Sequence, residues 1–149
     1  MIKMKTSYYL SLLFFVLAFT NNTNAQSVSA SKILNYLENQ KQTEISNALI
    51  KAGFQSDGKE TNYNGTLYSY HKAGTYGLEK FSFGYTEELF SIIYKPASNF
   101  YSAMKEKMLT SDFVYSYSYK ETKYYENGSM RIGVNDVAKT ISFFVILNM

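Results

Sequence analysis

Two spacings of apolar residues divide the chain. Ile33, Leu34 and Leu37 fall on one helical face, and Ile45, Ala48, Leu49 and Ala52 repeat that spacing further on. Five polar residues from Asn39 to Thr43 separate the two sets, which predicts two short helices, with Ser29 or Ser31 capping the first and Thr43 the second. Gly53 stands where a left-handed terminator belongs, and Phe54 is placed to fold back on the last turn.

From Phe54 to Lys95 the period drops to two, punctuated by turn residues at Asp57-Gly58, Asn64-Gly65, Gly74 and Gly77. Leu67, Ser69 and His71 are expected on one side of a strand, with Tyr68, Tyr70 and Lys72 on the other. Phe81, Phe83 and Tyr85 share a face, and Phe90, Ile92 and Tyr94 continue the pattern. Pro96 closes that strand because proline cannot donate to a ladder. Ser98 then caps a further helix carrying Phe100, Met104 and Met108.

The remainder returns to alternation. Phe113, Tyr115, Tyr117 and Tyr119 interleave with Val114, Ser116, Ser118 and Lys120, and Asn127-Gly128 marks a hairpin. Met130, Ile132 and Val134 form the next face, and Ile141, Phe143, Val145 and Leu147 the last. The last strand also bears Phe144 and Ile146 on its other side, the mark of a central strand covered twice or completing an interface. These elements predict an α+β fold, an antiparallel sheet of six to eight strands packed by two or three helices. A shift of 51 residues lays Phe81 to Phe83 on Ile132 to Val134 and Phe90 to Tyr94 on Ile141 to Val145, suggesting tandem repeats over 43–95 and 98–147.

Residues 1–25 change the setting of this domain. Lys3 and Lys5 precede an apolar run from Tyr8 to Thr20, and Thr23-Asn24-Ala25 offers a small-residue exit, the layout of a cleavable export signal. The run falls short of the roughly 20 residues that cross a bilayer. The expectation is therefore a single exported domain over 26–149, periplasmic or extracellular, with no membrane span after signal cleavage. The later strands look too short for the 9 to 11 residues or so of a membrane barrel. No cysteine is present to make a disulfide, so stability must come from burial, with the 13 Tyr and 8 Phe beyond residue 25 as its main stock.

Beyond residue 25 thirteen basic residues face twelve acidic ones, and the lysines are interspersed with glutamates, so no nucleic-acid partner is expected. No cofactor is expected either. One histidine and no cysteine cannot assemble the usual zinc site, and His71 has no glycine-flanked serine to activate. Glu87-Glu88 is the obvious acidic pair, but neighbours on a strand point apart, and the pair reads as a turn. Tyr115, Tyr117 and Tyr119, as one stripe, and the adjacent Tyr124 and Tyr125 are the candidate binding residues, since each ring joins an apolar face to a polar tip. The same stripe serves more readily to cover the helices, since alternation toward a core is what half-buried strands do. The functional expectation is a noncatalytic binding or inhibitory module acting on a protein or envelope component. The alternatives are a structural envelope protein and a small carboxylate-dependent hydrolase. An exposed aromatic patch would favour binding; a buried carboxylate pair in a concave pocket would favour hydrolysis.

Overall fold

Ser29 opens the first helix, α1 (Ala30–Asn39), by accepting the Lys32 backbone N–H on its Oγ at 3.3 Å. The computed structural model describes residues 27–147; the leader read at 1–25 lies outside them. Gln40 ends α1 in the left-handed conformation with φ of 52°, and Lys41 leads into α2 (Gln42–Lys51). Two helices form as expected, but Thr43 sits inside the first turn of α2 and does not cap it. The break comes earlier because Gln40 bends the chain there, its side-chain amide holding the Leu37 carbonyl at 3.0 Å. Gly53, at φ of 91°, closes α2 by donating to Ile50 O, while Phe54 donates to Leu49 O and buries its ring.

Eight strands follow: β1 (Gln55–Asn62), β2 (Gly65–Gly74), β3 (Gly77–Tyr85), β4 (Leu89–Lys95), β5 (Val114–Tyr119), β6 (Thr122–Asn127), β7 (Met130–Asn135) and β8 (Thr140–Ile146). Asp57-Gly58, expected as a turn, lies within β1 as a bulge, where the register steps from Ser56 to Gly58. Between β4 and β5 a single 3₁₀ turn, Ser98–Phe100, leads into α3 (Tyr101–Met108). Ser98 makes no side-chain cap bond, and the buried stripe is Tyr101, Met104 and Met108. The tighter turn alters the phase at the helix start, so Phe100 packs edge-on against Tyr76 instead.

The strands form one antiparallel sheet in the order β1-β2-β3-β4-β8-β7-β6-β5. Two four-strand meanders therefore meet through their last strands, with Phe90 opposite Val145, Ile92 opposite Phe143 and Tyr94 opposite Ile141. The segments aligned by the 51-residue shift occupy matching places, β3 with β7 and β4 with β8. The fold is α+β, as the patterning predicts.

Alternation gives the sheet two unlike faces. One carries Phe81, Phe83, Ile92, Tyr94, Ile132 and Phe143, all buried with Ile33, Leu37, Ile45, Leu49 and Met104 from the three helices. Rings interlock there edge to face, Tyr36 on Phe81 at 6.2 Å and Phe54 on Phe81 at 6.5 Å. The opposite face carries Leu67, Leu89, Ile93 and Phe144, none of which joins that core. No described helix packs over it. Among the described residues no helix is long and apolar enough to cross a membrane.

Candidate binding face

A bulge decides which tyrosines share a surface. In β5 the register steps from Tyr115, opposite Tyr125, to Tyr117, opposite Tyr124, leaving Ser116 as the extra residue. The expected stripe of Tyr115, Tyr117 and Tyr119 is thereby divided. Tyr115 and Tyr125 face the helix side and meet edge to face at 5.8 Å. Tyr117 and Tyr124 turn to the open side and stack at 4.7 Å with ring planes 20° apart. Tyr119 is also on the open side, exposed, with Lys120 Nζ 5.5 Å from its ring centre.

Tyr124 lies flat because its cross-strand neighbour is Gly133. A Cβ at that position would stand 2.8 Å from Tyr124 Cε1, so any larger residue lifts the ring off the sheet. Phe144 of β8 extends the cluster, 6.4 Å from Tyr124. Arg131 of β7 places its guanidinium 5.5 Å from the Tyr117 ring centre and donates to the Tyr117 hydroxyl at 3.3 Å. Glu126 of β6 holds that guanidinium through contacts at 2.6 and 2.7 Å. Together with Leu89 and Ile146 these side chains line a cleft of about 340 Å³ on the open face. Its chemistry suits an apolar or aromatic guest beside a planar cation whose charge is already matched.

Replacing Gly133 with alanine is therefore expected to break the Tyr117–Tyr124 stack at a cost of about 1–2 kcal/mol in stability. Proton NMR checks this through the ring-to-ring contacts of the two tyrosines. Contacts unchanged in the variant would show that Gly133 does not hold the ring in place.

A second polar constellation sits on the helix side. Glu79, 4% exposed, is the buried charged residue among those described. It accepts from the Tyr94 hydroxyl at 2.6 Å and from Ser27 Oγ at 2.8 Å. Lys72 Nζ donates to the same Ser27 Oγ and to the Ala52 carbonyl, each at 2.7 Å. Burial, and then the adjoining carboxylate, push the Tyr94 hydroxyl far above its ordinary value. Among the described residues no second acid lines the small cleft around Glu79, and its bonds tie Ser27, at the head of the described chain, onto β3 and β4. We read it as an internal fastening of the fold.

His71 lies within β2 and pairs through Nδ1 with Asp57 at 2.6 Å. Glu87 and Glu88 lie in the β3–β4 turn as expected, where Thr86 Oγ1 accepts the Leu89 N–H at 2.9 Å. Among the described residues no group of three or more His, Cys, Asp or Glu is placed to hold a metal ion.

The pattern singles out neither Arg131 nor Glu79, and it marks Phe144 only as an apolar residue on the second side of the last strand. Arg131 is the sole arginine among fourteen lysines, and Glu79 stands in phase with Phe81 and Phe83 on the apolar side of a strand. Both are legible signals: a charge type chosen against the composition, and a charge on the wrong parity. Compared with known protein families, curated proteins and solved structures, the chain matches none.

Proposed function

We propose that this chain is an exported, noncatalytic binding module that takes a protein or an envelope component on its open sheet face. One observation carries the reading. Tyr117, Tyr124, Phe144 and Arg131 form an aromatic and guanidinium cluster around a cleft, on a face where no described helix covers the apolar side chains. Tyrosine and arginine at the centre of a surface patch are the residue types that carry most binding energy in protein interfaces. Phe144 and Ile146 are then accounted for as the part of a central strand that completes an interface.

The test is affinity recovery of partners from the native envelope and medium, using the protein as its host makes it. Tyr117→Ala/Tyr124→Ala is expected to lower recovery at least about tenfold, the scale of losing a central anchor. Tyr115→Ala, one residue pair away on the opposite face, should leave recovery unchanged. Equal recovery by all three proteins would reject the open face as the binding surface.

A further inference from the structure

We propose that the occupant of the open face is an acidic, extended segment of a partner protein, laid across the strands with carboxylates on Lys80 and Lys95 and an apolar or aromatic side chain in the Tyr117–Tyr124 cleft. The proposal rests on the binding reading above and adds the chemistry of the partner.

Lys80 of β3 and Lys95 of β4 are direct cross-strand partners on the open face. Like charges placed opposite each other weaken a sheet. No ion pair among the described residues includes either lysine. His71, the partner of Lys80 on its other side, already holds the nearby acid Asp57. At the far end of the face Arg131 and Glu126 neutralise each other. The face is thus polarised, with two unmatched cations at one end and a charge-balanced aromatic cleft at the other. A local rule broken without internal compensation is the mark of a functional position.

Two residues along the strands from Lys80 and Lys95, Ser82, Ile93, Ser142 and Gly133 follow one another across β3, β4, β8 and β7 as direct partners, ending at Tyr124; all are small except Ile93, which offers an exposed apolar contact on the way. From Lys95 on β4 to Tyr124 on β6 is three strand spacings across and a two-residue step along, roughly 16 Å, a span that about five extended residues cover. A polypeptide supplies a carboxylate and a ring at that separation. A nucleic acid or sulfated polysaccharide would call for a longer row of cations than two.

The experiment measures binding of the random copolymer of glutamate and tyrosine to the protein from its native host, with polyglutamate, heparin and single-stranded DNA as comparisons. The copolymer is expected to bind more tightly than polyglutamate, and more weakly as salt is raised. Lys80→Glu/Lys95→Glu should lose about tenfold or more in affinity for the copolymer, and Lys80→Gln/Lys95→Gln a smaller part of it. The glutamine pair also relieves the like-charge contact, so its urea midpoint should equal or exceed that of the parent. Three results would overturn the proposal: copolymer affinity unchanged in both lysine variants, heparin or DNA bound more tightly than the copolymer, or sedimentation showing a dimer that the lysine variants dissolve, which would make a second copy the occupant. If the lysine variants keep full copolymer affinity while Tyr117→Ala/Tyr124→Ala still loses native partners, the acidic-segment proposal falls and the binding reading stands. Loss of neither overturns both.

Discussion

Urea unfolding of Phe143→Ala is expected to show a loss of about 3–5 kcal/mol, against about 1 kcal/mol for Phe144→Ala one residue along the same strand. Phe143 is wholly buried on β8, with Ile92 of β4 and Ile132 of β7 as its cross-strand partners. Alanine there opens a cavity at the junction of the two meanders, which packed neighbours cannot close by small shifts. Phe144 points to the open face, and its loss empties space that solvent already reaches. A domain of this size has about 5–15 kcal/mol of stability in total, and no cysteine among the described residues provides a disulfide to hold the remainder. Phe143→Ala should therefore populate unfolded chain near physiological temperature. Similar losses in the two variants would mean that the second face is packed as tightly as the first.

The second large effect belongs to Tyr94→Phe. Removing the hydroxyl leaves one oxygen of buried Glu79 without its 2.6 Å donor, which should cost about 1–3 kcal/mol at neutral pH. The same change should alter the alkaline limb of the stability curve. An unfolded tyrosine releases its proton near 10, whereas burial and the Glu79 carboxylate keep the folded Tyr94 hydroxyl protonated well above that. Its contribution is intact below the unfolded value and drains away as pH rises beyond it, by about 1.4 kcal/mol per pH unit. Tyr101, raised by burial and by its bond to Asp136, drives the limb in the same direction. Tyr94→Phe should thus start lower at pH 7 and fall less steeply above pH 10, by one proton's worth of slope. Urea titrations at a series of alkaline pH values measure it, and identical slopes in parent and variant would refute the account.

Much of this fold is legible in the residue pattern because burial imposes period. The Gly53-Phe54 stop, the helix over Met104 and Met108, and the two-sided apolar character of β8 all follow from which positions must avoid water. What escapes the pattern is where the backbone departs from period at no visible cost in composition. Ser116 is an extra residue in a run of alternating Tyr and Ser, and any of these residues could have been the bulged one. The side on which Tyr117 emerges is decided there. Gln40 adopts a left-handed conformation without being glycine, which moved the helix break away from Thr43. The pairing of β4 with β8 joins residues about fifty positions apart and leaves no local trace. The candidate cleft was half visible for the same reason: Tyr117 and Tyr124 are named by their chemistry, whereas Arg131, Glu126 and Phe144 become their neighbours only through strand order and register.

That central seam has a consequence for how the chain reaches its native state. During synthesis the first meander can assemble alone, yet β4 then presents a bare row of amides and carbonyls beside Phe90 and Ile92 until β8 arrives. Sequence-distant closure of this kind is slow. The nascent chain accordingly passes through a sticky half-molecule, and its yield in the cell should depend on whatever shields that border until β8 is delivered.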